Sequence, residues 1–201
     1  GKKIAFQSSR AGPYNLFWQL ADGGGELERL TTSENLNGSF SWSPDGQFLA
    51  FLEIRPATGR DIAVLQMSDR KAQPFLQTPF EETAPQFSPD GHWLAYMSNE
   101  SGRFEVYVQP FPGPGGKWQI STDGGTEPVW NRNGREIFYR NGNKMMAVEV
   151  TTQPGFSMGR PKMLFEGSYL PPPFPVANYD VSRDGQRFLM TKSGDGSDAA
   201  S

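Results

Sequence analysis

The chain has 201 residues, a formal net charge of −3 and no cysteine, so disulfides and thiolate metal sites are excluded. The slightly acidic balance offers no basic stripe for a phosphate backbone, and we expect no nucleic-acid partner. Hydrophobic residues make up only 36%, but 15 Phe, 6 Tyr and 5 Trp bury large areas in strands. With 23 Gly and 17 Pro, the composition favours many short antiparallel strands joined by turns.

A turn phrase returns four times along the chain. In it Ser or Asn can cap a reversal, Pro sets φ at the first corner, Asp or Asn tolerates the second, and Gly accepts a positive φ. A strand-like apolar run follows each copy, and the spacings of 45, 43 and 51 residues match one four-stranded propeller blade. The copies are Ser43-Pro44-Asp45-Gly46, Ser88-Pro89-Asp90-Gly91, Asn131-Arg132-Asn133-Gly134 and Ser182-Arg183-Asp184-Gly185.

In chain order, the pattern predicts an all-β propeller of four-stranded antiparallel blades, with about four to five blade units. Strands A to D of each blade follow one another, and the phrase marks the turn from A to B. Strand A is predicted to begin at Ser39, Pro85 and Pro128 in the second, third and fourth units. The first unit lacks strand A, and the last supplies only A and B. We predict one domain over residues 1–192 and a disordered polar tail over 193–201. The units are 1–38, 39–83, 84–126, 127–177 and the incomplete 178–192.

The strand count leaves two arrangements open. Strand A near Tyr179 could close onto the strand near Ile4 in a four-bladed ring, or the chain could be an open arc of a larger propeller. We favour the arc, whose unpaired strand edges would allow homo-oligomers. The start at Gly1-Lys2-Lys3-Ile4 has neither an initiator Met nor a signal segment and favours a piece of a longer protein. No apolar run reaches the length of a membrane span.

The phrase and the runs after it, Phe48-Leu49-Ala50-Phe51 and Trp93-Leu94-Ala95-Tyr96, resemble the TolB-like or WD-repeat-like propeller family. Finer motifs are similar to the propeller of bacterial eukaryotic-like serine/threonine kinases, although Asn131-Arg132-Asn133 and Ser182-Arg183 lack the proline. The resemblance implies a protein-interaction scaffold or sensor, periplasmic or otherwise outside the cytoplasm, and no reaction. The finer motifs are Asn99-Glu100-Ser101-Gly102-Arg103, Val106 to Pro112, Ser121 to Gly125 and Tyr179-Asp180-Val181.

The sequence contains few candidate residues for catalysis or metal binding. His92, the single histidine, follows a turn, and no Gly-x-Ser-x-Gly elbow accompanies it. One imidazole cannot build a histidine-rich metal site, and we expect no cofactor. A calcium site made of carboxylates and carbonyls stays an alternative, although no contiguous ligand loop is present.

Charged residues recur on the loops predicted to share one rim. In a propeller the B–C and D–A loops lie on the same face, and a partner's carboxylate or phosphate could bind there to any arginine left without a partner. The competing interpretation, which we favour, is that these charges pair from blade to blade as weak surface ion pairs. Phe174, in the proline-rich stretch Tyr169 to Val176, is a further binding candidate on this rim. The charged candidates are Arg10, Arg55, Arg60, Arg103, Arg140, Glu34, Glu81, Glu82 and Glu127.

The leading functional hypothesis is a noncatalytic propeller module that recognises a protein, peptide or ligand. One alternative is a propeller hydrolase or lyase acting on a glycan or peptide at the central funnel, with clustered carboxylates of strongly shifted pKa. Another is the regulatory propeller of a prolyl-oligopeptidase-like enzyme.

Overall fold

The computed structural model describes residues 2–171 and 176–192, and it contains only β-strands as regular structure in those ranges. The predicted tail and Phe174 lie outside the described residues. The strands are β1 (Lys3–Ser8), β2 (Asn15–Leu20), β3 (Glu28–Arg29), β4 (Leu36–Trp42), β5 (Phe48–Arg55), β6 (Gly59–Gln66), β7 (Lys71–Leu76), β8 (Glu82–Phe87), β9 (Trp93–Ser98), β10 (Glu105–Pro110), β11 (Trp118–Gln119), β12 (Thr126–Trp130), β13 (Glu136–Asn141), β14 (Lys144–Thr151), β15 (Ser157–Met158), β16 (Lys162–Glu166), β17 (Tyr179–Val181) and β18 (Phe188–Met190).

The strands form five antiparallel sheets in chain order, which we number as blades 1 to 5. Blade 1 is β1-β2-β3, blade 2 is β4-β5-β6-β7 and blade 3 is β8-β9-β10-β11. Blade 4 is β12-β13-β14, and both β15 and β16 pair with β14, while blade 5 is the hairpin β17-β18. The predicted all-β propeller arc is confirmed, with three strands in the first unit and two in the last.

The turn phrase folds as its residues predict. Ser43 Oγ donates to Asp45 Oδ1 at 2.5 Å and accepts the amide of Phe48 at 2.9 Å, so one hydroxyl spans the reversal. Gly46 has φ of 71° and donates its N–H to the Ser43 carbonyl. The same bonds recur around Ser88 and Ser182, so the phrase is structural in blades 2, 3 and 5.

The innermost strands begin earlier than the sequence predicts. We expected strand A to begin at Ser39, Pro85 and Pro128, whereas β4, β8 and β12 begin two to three residues before those positions. In each of these strands the pairing with strand B shifts register through a bulge. Ala84 and Glu127 hold positive φ of 52° and 59° there. In β8 and β12 the residue Pro85 or Pro128 has no N–H for the ladder, and the bulge lets the strand continue past it.

Apolar side chains from facing sheets form the cores between blades. Phe51 and Leu65 pack toward blade 1, Ile62 and Tyr96 between blades 2 and 3, and Val108 and Ile137 between blades 3 and 4. A fourth cluster joins Phe138 and Tyr179 between blades 4 and 5. Both faces of an inner blade are therefore buried.

Candidate functional site

The B–C and D–A loops meet on one rim, as predicted, and we call this face the loop rim. Five of the residues predicted on loops lie instead at or next to the ends of strands, because the strands are longer than the sequence pattern indicated: Arg55 in β5, Arg60 in β6, Glu82 in β8, Glu127 in β12 and Arg140 in β13. Arg60 lies 3.3 Å from Glu81, which precedes β8. Arg103 of the β9–β10 loop lies 3.5 Å from Asp123, which precedes β12. The A–B turns lie at the opposite ends of the strands, on what we call the turn rim.

In blade 2 the guanidinium of Arg55, at the end of β5, contacts one carboxylate of β5 and one of β6. Arg55 Nη2 lies 2.6 Å from Glu53 Oε2, and its Nε lies 3.7 Å from the buried Asp61. Burial opposes ionisation of Glu53, but hydrogen bonds from Ser33, Arg55 and Asn35 hold its pKa below the ordinary value. Arg55 is thereby committed to its own blade.

In blade 3 Arg103 sits over a buried carboxylate. Its Nε lies 2.8 Å from Glu105 Oε1, and Nη2 donates to the Thr122 carbonyl at 2.6 Å. Glu105 is 1% exposed, and it also accepts bonds from the Ser121 hydroxyl and the Gly124 amide. The Arg103 side chain is 55% exposed, so a fixed guanidinium faces solvent at the rim.

In blade 4 Glu127 and Arg140 form a buried pair, with side chains 2% and 6% exposed and 3.3 Å between Oε1 and Nη1. Arg140 also donates to the Leu170 carbonyl at 2.9 Å, and Glu127 Oε2 accepts the Asn178 amide at 2.7 Å. Burial raises the pKa of Glu127, although the Asn178 bond and the Arg140 charge oppose the rise. The pair therefore fastens the chain on both sides of the proline-rich stretch.

Neighbouring acids Glu81 and Glu82 face different environments. Glu81 is partly exposed and pairs with Arg60, whose side chain is 42% exposed. Glu82 is 1% exposed, and its Oε1 accepts the Thr78 hydroxyl while Oε2 has no partner. Burial raises the pKa of the Glu82 carboxyl. Glu82 is thus an interior group rather than a rim charge.

The remaining predicted residues divide between blade 1 and the turn rim. Arg10 bonds to Ser8 Oγ at 3.0 Å and lies over the rings of Phe6 and Phe17. Glu34 is exposed, and no residue in the described ranges forms an ion pair with it. His92 is exposed beside its turn.

The pairing of these charges is more local than we expected. Arg55 and Arg140 pair within their own blades, and Arg103 pairs with Glu105 of its own blade. Arg60 and Arg103 also contact acids in the connections to the next blade, Glu81 and Asp123. Strand carboxylates Glu53 and Glu105 supply the missing partners. Their role in binding a partner stays a prediction.

Sequence reasoning missed a cavity of about 1070 Å³ on the turn rim between blades 3 and 4. It is lined by polar side chains that include Asp90, Arg135, Glu136 and Glu149. Burial opposes ionisation of Asp90, but its bonds from Ser88 and the backbone keep its pKa below the ordinary value. The sequence carries no direct signal for this cavity. Its residues come from two turn phrases and the end of β14, and only blade stacking brings them together.

Within residues 2–171 and 176–192, no cluster of three or more His, Cys, Asp or Glu is arranged to hold a metal ion. The same ranges contain no helix that is long and apolar enough to cross a membrane.

No family model matches the chain. A segment of 68 residues is 32% identical to the Tol-Pal system protein TolB of Hydrogenovibrio crunogenus, covering 32% of this chain and 16% of that protein. A putative TolB from Agrobacterium tumefaciens superposes with a TM-score of 0.70 at 17% identity, covering 95% of this chain and 70% of that chain. TolB from Acinetobacter baumannii superposes with a TM-score of 0.72 at 21% identity, covering 96% of this chain and 47% of that chain. This chain therefore spans less than half of the Acinetobacter protein.

The five stacked antiparallel sheets, the repeated turns and the solved neighbours define a β-propeller. Its fold is TolB-like, as the turn phrase predicted. The likeness to kinase propellers stays a prediction.

Proposed function

We propose that the chain is a noncatalytic propeller module that binds a protein or peptide partner through its loop rim. The observation that carries the proposal is the pair of exposed, fixed guanidiniums of Arg60 and Arg103 on that rim. Carboxylates and a carbonyl hold them in place, so little side-chain entropy is lost when a partner's carboxylate binds. The adjoining acids Glu81 and Asp123 give the rim both signs of charge, which favours a polar protein surface with a matching pattern.

The relative's name supports the same class of function. The Hydrogenovibrio protein is named as a component of a Tol-Pal system, and a component of a system works with other proteins. By this resemblance we extend a protein-binding role and an extracytoplasmic location to the present chain. Exposed ion pairs contribute little to the free energy of unfolding, so the charged residues of the loop rim can serve partner recognition without loss of stability.

The raised carboxyl pKa values do not need a catalytic explanation. Glu82 and Glu127 lie on the innermost strands of different blades, and burial is the largest cause of the raised pKa of each, with the charges of Asp61 and Glu100 adding to the rise at Glu82. Glu127 is already neutralised by Arg140. The hydrolase and lyase alternative thus has no specific observation in its favour.

Site-specific photo-crosslinking in the source organism tests the proposal. A crosslinking amino acid placed at Ser101 or Glu34, both exposed on the loop rim, should capture the same polypeptide. Matched positions Gln47 and Arg132, exposed on the turn rim, should not capture it. Adducts confined to the turn-rim positions would contradict the proposed face. Turnover of a glycan, ester or peptide substrate that one point substitution abolishes would contradict the noncatalytic role.

A further inference from the structure

A second cavity, of about 370 Å³, lies between blades 1 and 2. Its apolar lining includes Leu30 and Leu65, which belong to the core between these two blades. The charged side chains that line it are Arg29, Glu53 and Arg70. The volume is within the range of small-molecule sites. The charge balance of these three side chains therefore decides which class of ligand suits the cavity.

Two of the three charged side chains are neutralised by ion pairs. Nη2 of Arg55 lies 2.6 Å from Oε2 of Glu53, and Nη2 of Arg70 lies 2.5 Å from Oε1 of Glu28. Arg29 differs, because no carboxylate of residues 2–171 and 176–192 lies within ion-pair distance of it. The cavity thus carries one uncompensated positive charge.

The Arg29 side chain is held in place but has donors to spare. Its Nε donates to the Thr31 carbonyl at 2.7 Å, which orients the guanidinium, and the residue is partly exposed. Both Nη groups carry further N–H donors. Within the part of the chain that the structure describes, these donors bond to no other residue. A fixed guanidinium with unused donors at a cavity can bind an anion with little loss of side-chain entropy.

Blade 3 shows that a charge is not needed for the contact that Arg29 makes within the fold. Gln119 occupies the equivalent position, and its Nε2 donates to the Ser121 carbonyl at 2.8 Å. The two strand ends are built alike, because the Thr31 and Ser121 hydroxyls each accept a backbone amide of the neighbouring strand. A neutral amide therefore makes the same contact. The charge and the Nη donors of Arg29 are additional to it.

We propose that this cavity binds a monocarboxylate with a short apolar chain, whose carboxylate pairs with the Nη groups of Arg29. A guanidinium and a carboxylate are both planar and can form two parallel N–H···O bonds. One uncompensated charge favours a monoanion, because a dianion would keep its second charge close to the Glu53 carboxylate. The apolar chain would contact Leu30 and Leu65. This site is separate from the loop rim of the proposed function.

Titration of the isotope-labelled protein with butyrate at constant ionic strength, followed by NMR at the Arg29 Nε–H, tests the proposal. Butyrate should shift that resonance in a saturable manner. Butyramide has the same shape without the charge and should bind at least about tenfold more weakly. Acetate lacks most of the apolar chain and should bind at least about threefold more weakly.

Three results of the titration would overturn the proposal. Equal affinities for butyrate and butyramide would contradict the charge pairing. Equal affinities for butyrate and acetate would contradict the apolar contact. A butyrate shift that does not saturate would show that the cavity is not a site for carboxylates.

Variants separate recognition from folding. Arg29→Gln can keep the carbonyl contact, as Gln119 does in blade 3, but should bind butyrate at least about tenfold more weakly. Binding is followed at the backbone amide of Ala72, which also lines the cavity. Arg132→Gln is the control, because Arg132 is exposed on the turn rim and should not affect binding. Urea denaturation shows whether each variant is folded.

The same variants can contradict the proposal. Undiminished butyrate binding by a folded Arg29→Gln protein would overturn it, and so would an equal loss in the Arg132→Gln control. Arg29→Lys provides a second test if the glutamine variant does not fold. It keeps the charge but not the planar fork, so it should bind butyrate at least about threefold more weakly. Binding as tight as in the parent would contradict the paired hydrogen bonds.

Two probes distinguish the source of the carboxylate. If the ligand is a glutamate side chain of a protein, the tripeptide acetyl-Ala-Glu-Ala-amide should bind more tightly than butyrate, and its Gln analogue should bind more weakly than the Glu peptide. If the ligand is a free small acid, butyrate should bind at least as tightly as the tripeptide. Either result supports the carboxylate site, and both are independent of crosslinking at the loop rim.

Discussion

Blades 1 and 3 are built from the same repeat, but their second strands have different surroundings. Strand β9 of blade 3 is buried along its whole length between β8 and β10. Its counterpart β1 in blade 1 is half exposed, because within the described residues only β2 pairs with it. Ile4 on β1 is 54% exposed, whereas Leu94 on β9 is fully buried. The repeat thus specifies strand geometry, and burial comes from the neighbouring strands and blades.

The hydrogen-bond ladder shows which groups of β1 are left unpaired. The amide of Ala21 donates to the Lys2 carbonyl, and the register continues through Ile4 opposite Gln19 and Phe6 opposite Phe17. Because backbone groups alternate sides in an antiparallel pair, those of Lys3, Ala5 and Gln7 face away from β2. An edge of this kind is open to another strand.

The largest contrast is expected between Arg140, near the end of strand β13 in blade 4, and Arg10, in the β1–β2 loop of blade 1. Arg140→Met in blade 4 should lower the free energy of unfolding by about 3–5 kcal/mol, because it leaves the Glu127 carboxylate buried without its cation. Arg10→Met in blade 1 should change it by less than about 0.5 kcal/mol, since Arg10 is exposed. Urea denaturation measures both. Equal effects of the two substitutions would show that the buried pair contributes no more to stability than a surface contact. The double variant Glu127→Gln with Arg140→Met should recover part of the free energy of unfolding that Arg140→Met loses.

Core truncation compares the two strands directly. Leu94→Ala should cost about 2–5 kcal/mol, because it removes buried methyl groups and leaves a cavity between blades 2 and 3. Ile4→Ala should cost less than about 1 kcal/mol, because over half of that side chain is already in water. Comparable losses in denaturant midpoint would mean that β1 is covered in solution.

A smaller effect concerns the pH dependence of blade 3. Burial raises the folded-state pKa of Glu82 above its unfolded value, so ionisation of this carboxyl disfavours folding as the pH rises through that range. Relative to the parent, Glu82→Gln should therefore become more stable between pH 4.5 and 7, by on the order of 1 kcal/mol. Glu81→Gln is the control, because Glu81 is partly exposed. A difference that stays constant with pH would contradict the burial of an ionisable Glu82.

The sequence predicted the fold because its signals are local. Each turn phrase contains its own hydrogen bonds, so Ser43, Ser88 and Ser182 mark the same reversal without help from distant residues. The starts of strand A were misplaced at Pro85 and Pro128, because a bulge has no simple sequence pattern.

The rim was predicted less completely than the strands. The loop arginines were identified, but partners such as Glu53 and Glu105 belong to strands and were not considered. The cavity near Asp90 depends on stacking between blades 3 and 4. The spacing of residues within one repeat does not predict how two repeats pack against each other.

The most direct test of the loop rim as the binding face is a comparison of two charge reversals in binding to the partner captured by crosslinking. Arg60→Glu with Arg103→Glu alters the loop rim, and Arg132→Glu with Arg135→Glu alters the turn rim by the same charge. All four arginines are at least partly exposed, but Arg103 also pairs with the buried Glu105, so urea denaturation must first show that the loop-rim variant is folded. We predict that the first variant binds at least about tenfold more weakly and that the second binds as the parent does. Unchanged binding by the first variant together with lost binding by the second would contradict the account.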